Sequence, residues 1–113
     1  MFLDDSSPIA SIGHGSVFLL AKWSGPSVLA LKRLQKAWTA AGLPESELHV
    51  LDWDQHEQRL RATQPEISGR VHGWGEAFNV RRGTITGFQV LGRVAARLDQ
   101  EVEAFVRRAA ESE

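Results

Sequence analysis

The sequence predicts an α/β fold, a three-layer sandwich in which a small mixed sheet of about four strands carries helices on both faces. Three observations carry this expectation. A short unbroken apolar run, Val17 to Ala21, lies between Gly15 and a Ser-Gly-Pro turn, the pattern of a strand buried on both sides. From Pro26 the period switches to helical steps of three and four. Later, two apolar stretches flank Arg82-Gly83, a hairpin signal, and a final amphipathic helix follows. The order read from these signals is β-α-β-α-β-β-α, and two βα units before a hairpin put helices on both faces.

Each element has its own warrant. The first helix shows Val28, Leu31, Leu34, Trp38 and Ala41 on one side, with Lys32, Arg33 and Lys36 elsewhere. Ser24 is its expected N-cap, Pro26 sits in its first turn, and Gly42-Leu43-Pro44 ends it. A second strand is expected from Leu48 to Trp53 and a polar helix from Gln55 to about Thr63. A loop with Pro65, Gly69, Gly73 and Gly75 comes next. Ala77 to Arg81 and Thr84 to Leu91 read as the hairpin strands. A last helix from about Val94 to Ala110 aligns Val94, Leu98, Val102, Phe105 and Ala109 on one face. Trp38 and Trp53 are expected in the core. Arg81, Arg82, Arg93 and Arg97 are expected to gather at the hairpin end, as a solvated face or a patch for an acidic partner.

A chain of 113 residues suits one domain over 1–113, with residues 1–8 as a lead-in and 111–113 as a frayed tail. The net charge of -1 lacks the basic surplus of a dedicated nucleic-acid binder. With no cysteine, dithiol exchange, disulfides and Cys-zinc sites are excluded. The longest apolar run, Val17 to Ala21, is far short of the ~20 residues that span a bilayer. MFLDDSSP is acidic where a secretory signal is basic, so the expectation is a cytoplasmic protein with no membrane partner. His14 falls in a Gly-rich turn, His49 on a strand and His56 on an exposed helix, and no spacing suggests a metal or other cofactor.

At the first strand-helix junction stands Trp23-Ser24-Gly25-Pro26-Ser27. With the element order, the acidic Asp52-Trp53-Asp54 at a strand end, the Arg82-Gly83 turn and Gly92, it resembles the thioredoxin family over about residues 9–110. The resemblance puts Ser24 and Ser27 at the two redox cysteine positions. It puts Phe18 at the family's buried acid, Val50 at its buried lysine and Gly75 at its cis-proline. Two thiols, two tuning charges and the proline are all replaced. A serine hydroxyl cannot act for the thiol, since no helix terminus lowers its pKa far enough. A narrower likeness is to the bacilliredoxin-like branch, through Ser24, Ser27 and His72 three residues before Gly75.

The candidate site is therefore Trp23, Ser24, Gly25, Pro26, Ser27, His72, Trp74 and Gly75. Ser24 and Ser27 can cap the helix. Alternatively they can hold a small anion or a low-molecular-weight thiol at its N-terminus. A Ser24-His72 nucleophile pair is conceivable but has no orienting third group or nucleophile elbow. Trp23 and Trp74 either pack over loops of their own domain or wall a groove for another protein, and Gly75 leaves room for an approaching backbone. The expected function is a redox-inactive, non-enzymatic adaptor or chaperone-like module. It would hold another protein or an extended peptide in that groove. A degenerate thiol-system protein and an immunity-type binder are the alternatives.

Overall fold

The computed structural model describes residues 14–63, 67 and 69–111. It is a mixed α/β structure: β1 (His14–Leu20), α1 (Gly25–Ala40), β2 (Leu48–Asp52), α2 (Trp53–Thr63), β3 (Glu76–Arg81), β4 (Thr84–Val90) and α3 (Leu98–Glu111). Short 3-10 turns, Glu45–Glu47 and Ala95–Arg97, precede β2 and α3. The expected lead-in at 1–8, Pro65 and positions 112–113 lie outside the described residues.

The sheet runs β2-β1-β3-β4. β1 pairs with β2 in parallel, with Phe18 opposite Val50, and with β3 antiparallel, with Phe18 opposite Ala77. As an interior strand with apolar residues on both faces, β1 is buried from Gly15 to Leu20. Strand alternation then divides the interior. Phe18, Leu20, Val50 and Ala77 face α1 and α3, meeting Leu34, Trp38, Val102 and Phe105. Val17, Leu19, Leu51, Phe78 and Val80 face the other way, against Trp53 and Leu60 of α2. Helices thus cover both faces.

The local signals explain the boundaries. Ser24 adopts the extended N-cap conformation and accepts the Ser27 N–H. At the other end Gly42 has φ +75°. The Leu43 N–H donates to the Trp38 carbonyl and the Gly42 N–H to that of Thr39, the Schellman arrangement. The Trp38 indole N–H reaches the Pro44 carbonyl at 2.8 Å, pinning the exit. Arg82 and Gly83 have φ of 53° and 76°, the pair of positive values that a two-residue type I′ hairpin needs.

Four expectations are corrected. Val94 is 50% exposed and precedes the 3-10 turn, so the last helical face begins at Leu98. His14 opens β1 opposite Arg81 instead of lying in a turn, because pairing with β3 extends the strand back through Gly15. His56 is buried: α2 starts at Trp53, which turns Trp53, His56 and Leu60 inward together. The arginines separate, Arg81 and Arg82 lying at the hairpin while Arg93 follows the far end of β4. Of the helices among the described residues, none is long and apolar enough to cross a membrane.

Candidate functional site

The carboxyl ends of β1, β2 and β4 meet the start of β3 at one edge of the sheet, where α1 and α2 also begin. Crevices beside the carboxyl ends of α/β strands are common ligand sites. Lys22 pairs with Asp52 at 3.0 Å. Burial alone raises a carboxyl pKa, but the Lys22 ammonium and the Asp54 and Gln55 N–H groups outweigh it and hold Asp52 below its ordinary value.

Both serines are buried and used internally. The Ser24 hydroxyl donates to the Gly73 carbonyl at 2.5 Å and accepts the Ser27 N–H at 3.4 Å. The Ser27 hydroxyl accepts the Ala21 N–H at 3.0 Å. Two hydroxyls therefore join the end of β1, the first turn of α1 and the loop that enters β3. Ser24 bonds Gly73 rather than the His72 ring, so the nucleophile pair does not form.

That loop, residues 69–75, is tied down from several sides. The Glu76 carboxylate is fully buried and accepts the backbone N–H groups of His72 (3.0 Å) and Trp74 (3.2 Å). Its Oε1, like Nε2 of His56, has no hydrogen-bond partner among the described residues. The Gly92 N–H donates to the Trp74 carbonyl at 2.7 Å and the Leu91 N–H to that of Gly75 at 2.9 Å. The peptide groups of Trp74 are thus engaged on both sides. An incoming strand has no free Trp74 N–H to pair with.

Gly75 does not leave the expected space. A Cβ there would lie 2.7 Å from the Ala30 Cβ and 3.4 Å from the Phe18 ring, and its φ is +85°. The missing side chain is filled from within, by α1 and β1. Gly73 is as restricted: φ is +81°, and a Cβ would strike the Trp23 ring at 2.7 Å. Trp23 thus lies over Gly73 while its indole N–H donates to Asp54 at 3.2 Å. Even so, 65% of Trp23 and 38% of Trp74 are exposed. Trp23 lies against Gly73 and Trp74 follows it in the chain, an exposed aromatic ledge on a hydrogen-bonded base.

Gly25 and Pro26 supply the first turn of α1, and the Pro26 carbonyl is 3.2 Å from where a Gly92 Cβ would stand. The sequence-predicted residues therefore do converge. The anchors Asp54, Glu76 and Gly92 were missed as site residues. A carboxylate opening an otherwise apolar strand, Glu76-Ala77-Phe78, was the available signal for one of them. Among the described residues no group of His, Asp or Glu is arranged to hold a metal ion. No protein-family model matches the chain, and no curated protein is found similar to it.

Proposed function

We propose that this chain is a redox-inactive protein of thioredoxin-like fold that works as a protein-binding module. The surface around Trp23 and Trp74 holds a segment of another protein. One observation carries the reading: two large indoles, Trp23 and Trp74, stand exposed on a backbone otherwise fixed by hydrogen bonds. The juxtaposition of Ser24 with the loop bearing Gly75 supports the thioredoxin-like reading, since the family's paired thiols face that loop. The competing small-anion or thiol reading has less support, because both hydroxyls already have partners inside the protein. A partner meets side-chain surface rather than a free strand edge at Trp74.

The test compares capture from a native lysate by the wild-type chain and by Trp23→Ala with Trp74→Ala. Exposed anchors of this kind contribute ~2 kcal/mol or more each, so the double variant releases its partners while keeping its far-UV circular dichroism. An unchanged set of captured proteins removes the ledge from the account.

A further inference from the structure

Trp74 of the ledge also lines a cavity of about 270 Å³, together with Arg70, His72, Phe88, Val90 and Arg93. It joins three parts of the chain: the loop before β3, edge strand β4 and the segment after it. The Arg70 guanidinium stacks on Phe88 with its central carbon 4.0 Å from the ring centroid. That contact orients the planar fork and leaves its N–H groups available at the rim. Neither Arg70 nor Arg93 forms an ion pair with any carboxylate among the described residues. Two guanidinium groups with no carboxylate partner among the described residues thus share one small, partly aromatic hollow in a chain whose net charge is -1.

We infer that this cavity receives an acidic side chain, aspartate or glutamate, of the segment held on the ledge. The inference rests on the binding-module reading and names its partner: an extended peptide with an apolar residue on the indoles and a carboxylate beyond Trp74. The chemistry favours this occupant for three reasons. Guanidinium forks match a carboxylate in shape and charge. The volume is below that of usual drug-sized sites and suits one side chain. Trp74 belongs to both the ledge and the cavity wall, so a chain crossing it enters one from the other.

The test is an NMR titration of the isotope-labelled full chain with two synthetic peptides, Ac-Ala-Leu-Glu-Leu-Ala-NH₂ and its glutamine counterpart, and with sodium acetate. The glutamate peptide is expected to move the Arg70 and Arg93 side-chain N–H signals and the Trp74 indole, saturably. The glutamine peptide binds about tenfold more weakly, a loss that Arg70→Gln with Arg93→Gln reproduces for the glutamate peptide. Both arginines are exposed, so the variant keeps its fold. Equal response to both peptides, or an unaffected double variant, overturns the acidic-pocket inference. So does acetate matching the glutamate peptide at equal carboxylate concentration, which makes the hollow a small-anion site. The Trp23 indole reports separately. Its response to both peptides without arginine discrimination leaves the ledge standing and the pocket refuted. Arginine responses with Trp23 silent do the reverse.

Discussion

Replacing Gly75 by alanine is expected to destabilise the protein by several kcal/mol, and the structure supplies the two parts of that figure. At φ +85° an alanine meets the left-handed penalty of about 1–2 kcal/mol. Its Cβ would also lie 2.7 Å from the Ala30 Cβ, well inside the ~3.5–4.0 Å at which carbons rest in contact. Ala30 is on the inner face of α1 and fully buried, so helix and loop must part, an overpacking cost of roughly 1–3 kcal/mol. The total is about 2–5 kcal/mol out of the ~5–15 kcal/mol that holds a typical domain together. Urea denaturation reads this directly: with a slope near 2 kcal/mol per molar, the midpoint falls by about 1–2.5 M. Gly25→Ala is the control, because a Cβ there meets nothing within 4 Å and its φ is not positive. It should stay within about 0.5 kcal/mol of wild type. A cycle with Ala30→Gly separates the two parts, since it relieves the clash and leaves the dihedral strain, giving a coupling of about 1–3 kcal/mol. Equal midpoints for Gly75→Ala and Gly25→Ala would refute the packing argument.

Two further outcomes follow from the same groups. Ser27→Ala leaves the Ala21 N–H without its partner in the interior and should cost about 1–3 kcal/mol in the same urea assay, despite removing one atom. His49 gives a pH dependence: burial pushes its pKa below the ordinary 6.5, and the Glu47 charge opposes this only in part. The unfolded chain therefore binds that proton first, so the contribution of His49 is complete above pH 6.5 and declines as pH falls below it. Urea midpoints at pH 7.5 and 5.5 should differ more for wild type than for His49→Gln. Asp52, whose pKa is lowered instead from 3.8, adds its loss only under more acidic conditions.

The strand-helix order was legible because each element carried a local signal that tertiary packing had no reason to override. Val17 to Ala21 could only be an interior strand, Gly42 could only end a helix, and Arg82-Gly83 could only turn a hairpin tightly. His56 was misread because a polar helix shows little period of its own. The register of α2 depends on Trp53 being its first residue, which follows from how β2 ends. The arginine misreading has a different cause. Arg81 and Arg93 stand twelve positions apart in sequence, but strand β4 carries the chain to the opposite end of the sheet between them. Arg93 consequently lines the same cavity as Arg70, a juxtaposition fixed by topology and invisible to spacing. Gly75 was read as open because a glycine's missing side chain looks the same in sequence whether solvent or Ala30 fills the place.

The loop before β3 is where several of these contacts act together. Three glycines in residues 69–75 make it a costly segment to order, because each loses the backbone freedom that glycine alone has. Side-chain and backbone hydrogen bonds supply the restraint. Glu76 holds the His72 and Trp74 N–H groups, Ser24 holds the Gly73 carbonyl, and Gly92 and Leu91 hold the carbonyls of Trp74 and Gly75. Glycine at 75 is then the residue that lets α1 approach closely, and serine at 24 supplies an oxygen donor at a position where a thiol would bond only weakly. Ser24, Gly75 and Glu76 thus fasten the loop beneath Trp74. Because the peptide groups beneath Trp74 are already ordered, a partner meeting its indole has little backbone entropy left to remove.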